Sequence, residues 1–351
     1  MAGGKLRESN IISPHLTRQR RAALECGQRS LIEGGIYMKN LNLAIWMAAG
    51  TLLLAAPAFS QGEKATGQGR AVVTILPKHQ GEMPANVSQQ DLSIKVNGKA
   101  SQVTGWTSLR GPGDRLELVL LIDSSARNSL GSQFSEIEHF INDLPPNVKA
   151  GIAYMQNGQA VFAGSLSTDH ARVLSALHLP GGSPGSSASP YFCLSDLAKH
   201  WPSDDREARR EVVMVTDGID NYERRFDPED PYVQAAIADS VRARLVVYAI
   251  YFQVQGLADR TLYGNNAGQS LLLEVTDATG GKSLWQGMGN PVSMQPYLEE
   301  IARCMKNQYE LRFSAPLEGK PITETLKLKV SAAGEVMAPQ QVFVDRAGAM
   351  E

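Results

Sequence analysis

Little in this chain of 351 residues advertises chemistry, and what is missing narrows its function. Formal net charge is only −2, so no basic excess points to nucleic acid. Gly-x-x-x-x-Gly-Lys-Ser/Thr is absent, which removes the usual phosphate cradle of nucleotide enzymes. No Gly-x-Ser-x-Gly surrounds Ser125, and none of the six histidines sits in a recognisable triad context, which argues against a serine hydrolase. Cysteine is scarce: beyond residue 60 only Cys193 and Cys304 remain. Both fall in helix-like apolar segments and read as two buried free thiols. There are no internal repeats.

The first sixty residues stand apart. Residues 1–37 carry six Lys/Arg and three Glu without apolar periodicity, and read as a wrongly extended start. Met38-Lys39-Asn40, the apolar stretch from Leu41 to Pro57 and the small residues Ala58 and Ser60 form a secretory signal, 38–60, cleaved before Gln61. Its apolar part is short for a stable membrane span. The alternative is an uncleaved anchor, the one case in which the chain meets a membrane. Localisation is then secreted, periplasmic or cell-envelope. Without 1–60 the net charge is about −6, that of a mildly acidic soluble protein.

Residues 61–69 read as a flexible leader and 70–110 as an N-terminal β segment, with Leu92–Val96 alternating before an Asn97-Gly98 hairpin turn. From 114 to 307 strands and helices alternate. Strands are expected at 116–122, 148–154, 159–163, 211–216, 245–251 and 282–285. Helices are expected at 130–143, 168–178, 189–200, 231–243, 268–279 and 291–307. Asp230-Pro231 and Asn290-Pro291 supply helix starts, and Gly280-Gly281 a stop. Residues 308–346 return to β alternation. The fold class is α/β, a doubly wound, mostly parallel sheet, with a small β module built from both chain ends.

The strand Leu116-Glu117-Leu118-Val119-Leu120-Leu121-Ile122 is apolar on both faces, as in a covered parallel sheet, and ends in Asp123-Ser124-Ser125. A second buried strand ends in Thr216-Asp217-Gly218. Between them, the Gly/Ser loop 181–190 opens a helix at Ser189-Pro190. Ligands gather at the carboxyl ends of such strands. One or two carboxylates with hydroxyls suit a hard divalent ion such as Mg²⁺ or Mn²⁺. Each Asp taken alone is also explained as a helix cap.

In these residues, 114–307 resembles a von Willebrand factor A domain. The resemblance implies a metal-ion-dependent adhesion site, in which Asp123 and Ser125 match the first loop and Asp217 the third. Ser189 is the candidate for the second loop's Thr. Arg127 stands where the family has its second Ser, and a guanidinium there is able to supply the charge that the ion otherwise gives. The phrase Asp91-Leu92-Ser93-Ile94-Lys95-Val96-Asn97-Gly98-Lys99 resembles the β module that precedes the domain in secreted bacterial relatives.

The expected function is a non-catalytic binding or adhesion module whose protein partner offers an acidic group. Metal residues would be Asp123, Ser125, Ser189 and Asp217. Partner contacts would include Arg127, Asp220, Arg224 and Arg225. The alternative is a metal-free structural or assembly subunit with an inactive site; a hydrolase is the less favoured reading.

Overall fold

The computed structural model of the chain describes residues 66–79, 86–111, 113–181, 186–220, 222, 227, 229–253, 262–287, 289–317, 320–331 and 334–346, the side chains of 127, 128, 262 and 263 apart. The expectations for 1–60 lie outside these residues. The described chain starts with β1 (Thr66–Leu76), β2 (Leu92–Val96) and β3 (Lys99–Ser108). It continues through β4 (Leu116–Asp123), α1 (Arg127–Gly131), α2 (Phe134–Asn142), β5 (Lys149–Gln156) and β6 (Gln159–Phe162). Next come α3 (His170–Leu174), α4 (Pro190–Lys199), β7 (Arg209–Thr216), α5 (Pro231–Arg242) and β8 (Leu245–Tyr251). Then follow α6 (Leu262–Thr279), β9 (Ser283–Leu284) and α7 (Gln295–Met305). The last four strands are β10 (Gln308–Pro316), β11 (Ile322–Val330), β12 (Glu335–Met337) and β13 (Gln341–Arg346).

The middle segment folds as expected into a mostly parallel sheet. Its strand order is β6-β5-β4-β7-β8-β9, with only β6 antiparallel. All eight residues of β4 are buried, because both faces of the sheet are covered. On one face Leu118, Leu120 and Ile122 pack with Ile137, Phe140, Leu298 and Ile301. On the other Val119 and Leu121 pack with Tyr191, Leu194, Ile237 and Leu272. The chain winds outward from β4 in both directions, so the loops after β4 and β7 part at the switch point and leave a crevice between them.

The remaining strands close on themselves. The order β10-β3-β2-β11-β13-β1 is completed by the β1–β10 pairing, which gives a six-stranded antiparallel barrel with β12 added on β1. Strands from 66–108 and from 308–346 contribute to it, around Val73, Ile75, Leu311, Phe313 and Val344. The Asn97-Gly98 turn is present, with φ of 48° and 75°, the left-handed pair that a two-residue hairpin needs.

Three expectations need correction. The stretch 61–69, read as a leader, already contains strand from Thr66. Its glycines serve close packing: a Cβ on Gly69 would sit 2.1 Å from the Phe313 ring, and one on Gly67 2.4 Å from Val344. The expected helix 130–143 is broken at Ser132-Gln133 into α1 and α2. Asn290-Pro291 does not start the last helix, which begins at Gln295. The Glu136 carboxylate of α2 accepts from the amides of Met294 (2.6 Å) and Gln295 (2.8 Å), so a neighbouring helix supplies the cap. Cys193 and Cys304 are buried free thiols. Among the described residues no helix is long and apolar enough to cross a membrane.

Candidate functional site

Asp123 ends β4 inside the crevice, 2% exposed. One carboxylate oxygen accepts from the Ser125 amide at 2.9 Å, and the other from the Thr216 hydroxyl at 2.9 Å. The first bond closes a tight turn after the strand. The second joins the ends of β4 and β7, which the parallel register brings side by side. The Ser125 hydroxyl also turns toward this carboxylate, and the Ser187 hydroxyl lies on the same side without a hydrogen-bond partner of its own among the described residues. Burial raises the Asp123 carboxyl above its ordinary range, and these hydrogen bonds pull against the shift. Asp123 makes no ion pair with a described residue.

The second loop separates two serines that look equivalent in sequence. Ala188 between them has φ of 61°, a left-handed conformation unusual for a residue with a Cβ. Ser189, extended at φ −150°, caps α4: its hydroxyl accepts from the Tyr191 amide at 3.3 Å, with Pro190 in the first turn. Ser187 is fully buried, and its hydroxyl lies toward Asp123 with no hydrogen-bond partner among the described residues. Its carbonyl is fixed by the amides of Gly158 (3.0 Å) and Ser189 (2.8 Å).

The third loop turns at Gly218, with φ of 69°. A Cβ there would lie 2.5 Å from the Gly268 carbonyl oxygen and 2.6 Å from Leu272, so glycine is required twice over. Asp217 accepts from the Ile219 amide at 3.0 Å, and Asp220 from the Tyr222 amide at 2.7 Å. The buried Tyr191 hydroxyl donates to the Gly218 carbonyl at 2.7 Å. Burial, with Asp217, Asp220, Asp230 and Glu274 around it, holds this phenol well above its usual range. Asp230 caps α5 through the amides of Tyr232 (2.8 Å) and Val233 (3.4 Å). At the rim, Phe192, Tyr222 and Tyr232 pack edge-to-face at 4.8–5.4 Å, and Tyr222 is 65% exposed.

The structure thus brings Asp123 and Ser125 together with Thr216 and Ser187, and sets Asp217 and Asp220 on the adjoining loop beside Tyr191. Ser189 is nearby in the chain but engaged with its helix. Arg127 opens α1, and its side chain lies outside the described residues, as do Arg224 and Arg225. Sequence reasoning missed Ser187 and gave no separate role to Thr216. The signal for Thr216 was its place within Thr-Asp-Gly; for Ser187 only the serine-rich loop hinted. Among the described residues no three His, Cys, Asp or Glu side chains gather as a metal-holding group, so any ion here would rely on hydroxyls as well as carboxylates.

No protein-family model and no curated protein matches the sequence. Solved structures do. BatB from Bacteroides thetaiotaomicron is 18% identical over 54% of this chain and 98% of its own, with a TM-score of 0.35. The Rpn10 VWA domain is 12% identical over 54% and 97%, at 0.37. The ArnB paralog VWA2 from Sulfolobus acidocaldarius is 10% identical over 81% and 76%, at 0.36. The strand order about β4, with Asp-x-Ser after β4 and Thr-Asp-Gly after β7, makes residues 116–305 a mostly parallel α/β domain with both motifs at its switch point.

Proposed function

We propose that the face made by the loops after β4 and β7 and before α4 is a non-catalytic protein-docking site, assisted by a divalent cation. The observation that carries the reading is Asp123: a buried carboxylate, raised above its ordinary range, ringed by the hydroxyls of Ser125, Thr216 and Ser187 and paired with no described cation. A positive charge placed there offsets the cost of that burial. The donor set is all oxygen, which fits Mg²⁺ or Mn²⁺. Asp123, Ser125, Ser187 and Asp217 would hold the ion, with Ser187 in the role first expected of Ser189. When bound, the ion supplies an open position for a carboxylate of the partner.

The exposed Tyr222 and its packed neighbours Phe192 and Tyr232 give the rim the aromatic character common at protein interfaces. A signal at 38–60 would deliver the chain to the cell envelope or beyond, where such docking is useful. The alternative is a metal-free assembly subunit in which Arg127 would supply the positive charge in place of the ion.

Thermal melting tests it. A ligand that binds only the folded state raises Tm, by about 2.7 kcal/mol of stability at a hundred times its Kd. Millimolar Mg²⁺ or Mn²⁺ is expected to raise Tm over the EDTA control, and Asp123→Ala to abolish the response. No shift in the wild-type protein would overturn the cation and favour the metal-free subunit.

A further inference from the structure

A cleft of about 820 Å³ opens at the end of the parallel sheet opposite to the Asp123 loops, and its reading is independent of the docking site. It reaches the first residues of β4 and β7, Leu116 and Arg209, whereas Asp123 and Thr216 end those strands. Its walls are the ends of α2 and α7 and the link from β3 into β4. The two helices meet at the start of α7, where Glu136 supplies the cap and Ile137, Leu298 and Ile301 share one core. Beyond that point they part. Phe140 and Leu144 line the space on one side, Ala302 and Met305 on the other, and the short Ala302 side chain leaves room between them.

Each carboxylate on the rim is already engaged. Glu136 holds the α7 amides, and Asp114 pairs with Arg209 at 2.5 Å. Asp143 pairs with His139 at 3.1 Å, and Glu299 accepts from the Gln295 side chain at 2.8 Å. Among the rim cations, Arg303 is taken by Glu300 at 2.7 Å. Arg110 and Lys306 are left without an ion pair to any described residue. Arg110 donates to neutral groups: its Nε to the Lys306 carbonyl at 3.0 Å, and its Nη2 to the Asn307 side chain at 3.4 Å and the Tyr309 hydroxyl at 3.3 Å. Its Nη1 donates to no described group. Helix capping accounts for the bond to the Lys306 carbonyl, at the negative end of α7. It does not account for an apolar cleft of this size beside two uncompensated cations, where wall atoms lack packing partners on one side.

We infer that this cleft binds an aliphatic monocarboxylate, a free medium-chain fatty acid, with its chain against Phe140, Leu144, Leu298 and Met305 and its carboxylate at Arg110 and Lys306. The volume lies within the range of about 300–1,000 Å³ in which clefts bury most of a small ligand, and such sites join apolar walls to a few polar groups that fix orientation. Arg110 offers a guanidinium edge that matches a carboxylate, and Lys306 adds a mobile point charge beside it. The two cations sit together because Arg110 is bonded to the backbone of Lys306. The apolar walls and the charge left over on the rim thus call for the two halves of one molecule.

The test is calorimetric titration of the full chain with octanoate, decanoate and dodecanoate, each below its micelle concentration. One saturable site is expected, with affinity rising about fourfold per methylene until the cleft is filled. Decanol, which lacks the charge, should bind at least tenfold more weakly than decanoate. Lys306→Gln, at an exposed position, should weaken decanoate about fivefold and leave decanol unchanged. Ala302→Phe, which fills the space between the helices, should abolish binding of both. Should that variant fail to fold, Lys306→Gln and the chain-length series still decide. Absence of saturable binding, an affinity independent of chain length, or equal affinities for decanoate and decanol would overturn the proposal. Wild-type decanoate affinity in either folded variant would do the same.

Discussion

Ala188 shows how one backbone angle assigns two serines to two tasks. Its left-handed φ of 61° reverses the chain, so Ser187 faces Asp123 and Ser189 faces the first amides of α4. Ser189→Ala should therefore cost about 1 kcal/mol in urea unfolding, the ordinary loss for a removed cap, and leave the Mg²⁺-induced Tm shift intact. Ser187→Ala should barely change metal-free stability and weaken the Mg²⁺ response about tenfold, a 1.4 kcal/mol loss of the kind a hydroxyl donor supplies. The opposite pattern would return the metal role to Ser189. Asp123 and Thr216-Asp217 were legible in the sequence because each ends a run of buried β residues. Ser187 was not. The sign of φ at an alanine leaves no mark in composition, and Ser189-Pro190 carries the stronger local signal, which is that of a cap.

Elements obey the same division between local and borrowed signals. Helix α5 begins where Asp230-Pro231 says it should, because cap and helix are neighbours in the chain. The left-handed Gly280 ends α6 for the same reason. Helix α7 ignores Asn290-Pro291, since its cap comes from Glu136, more than 150 residues away, with Gln133 accepting from Met294 at 3.0 Å beside it. These contacts bind the start of α7 to α2 above the core of Ile137, Leu298 and Ile301. Glu136→Ala should destabilise the protein by about 1 kcal/mol, the ordinary loss for a removed cap, because both amides lose a charged acceptor while Gln133 and Ser293 still accept from them. Glu136→Gln keeps an acceptor oxygen and should recover at least half of the loss. Hydrogen exchange would locate the damage: faster exchange at Met294 to Leu298 is expected in the alanine variant, and unchanged protection there would refute the capping role.

At the scale of the molecule, barrel closure was the least legible feature. Alternation marks β1 and β10–β13 as strands, but not that β1 pairs on both sides, with β10 and with β13. Where the barrel meets the parallel sheet, the buried Arg209 of β7 donates to Glu211 (3.0 Å), to the Met305 carbonyl (3.0 Å), to Gln308 of β10 and to Asp114. Gln308 in turn donates to the Tyr248 hydroxyl at 2.9 Å. Glu211 is fully buried, and desolvation outweighs Arg209, pushing its carboxyl from 4.5 to about 7. The folded state thus keeps a proton that the unfolded chain releases near pH 4.5. Below that pH both states are protonated and Glu211 carries no penalty. Between 4.5 and 7 the unfolded state binds fewer protons, so stability falls as pH rises, by on the order of 3 kcal/mol once both states are ionised. Glu211→Gln removes the titration while keeping an acceptor for Arg209. Urea unfolding of both proteins at pH 5, 6, 7 and 8 should show the variant gaining on the wild type as pH rises, by on the order of 2–3 kcal/mol across the range. A difference that stays constant with pH would mean that Glu211 is ionised throughout, and that the Arg209 ion pair, rather than a shared proton, holds the seam between sheet and barrel.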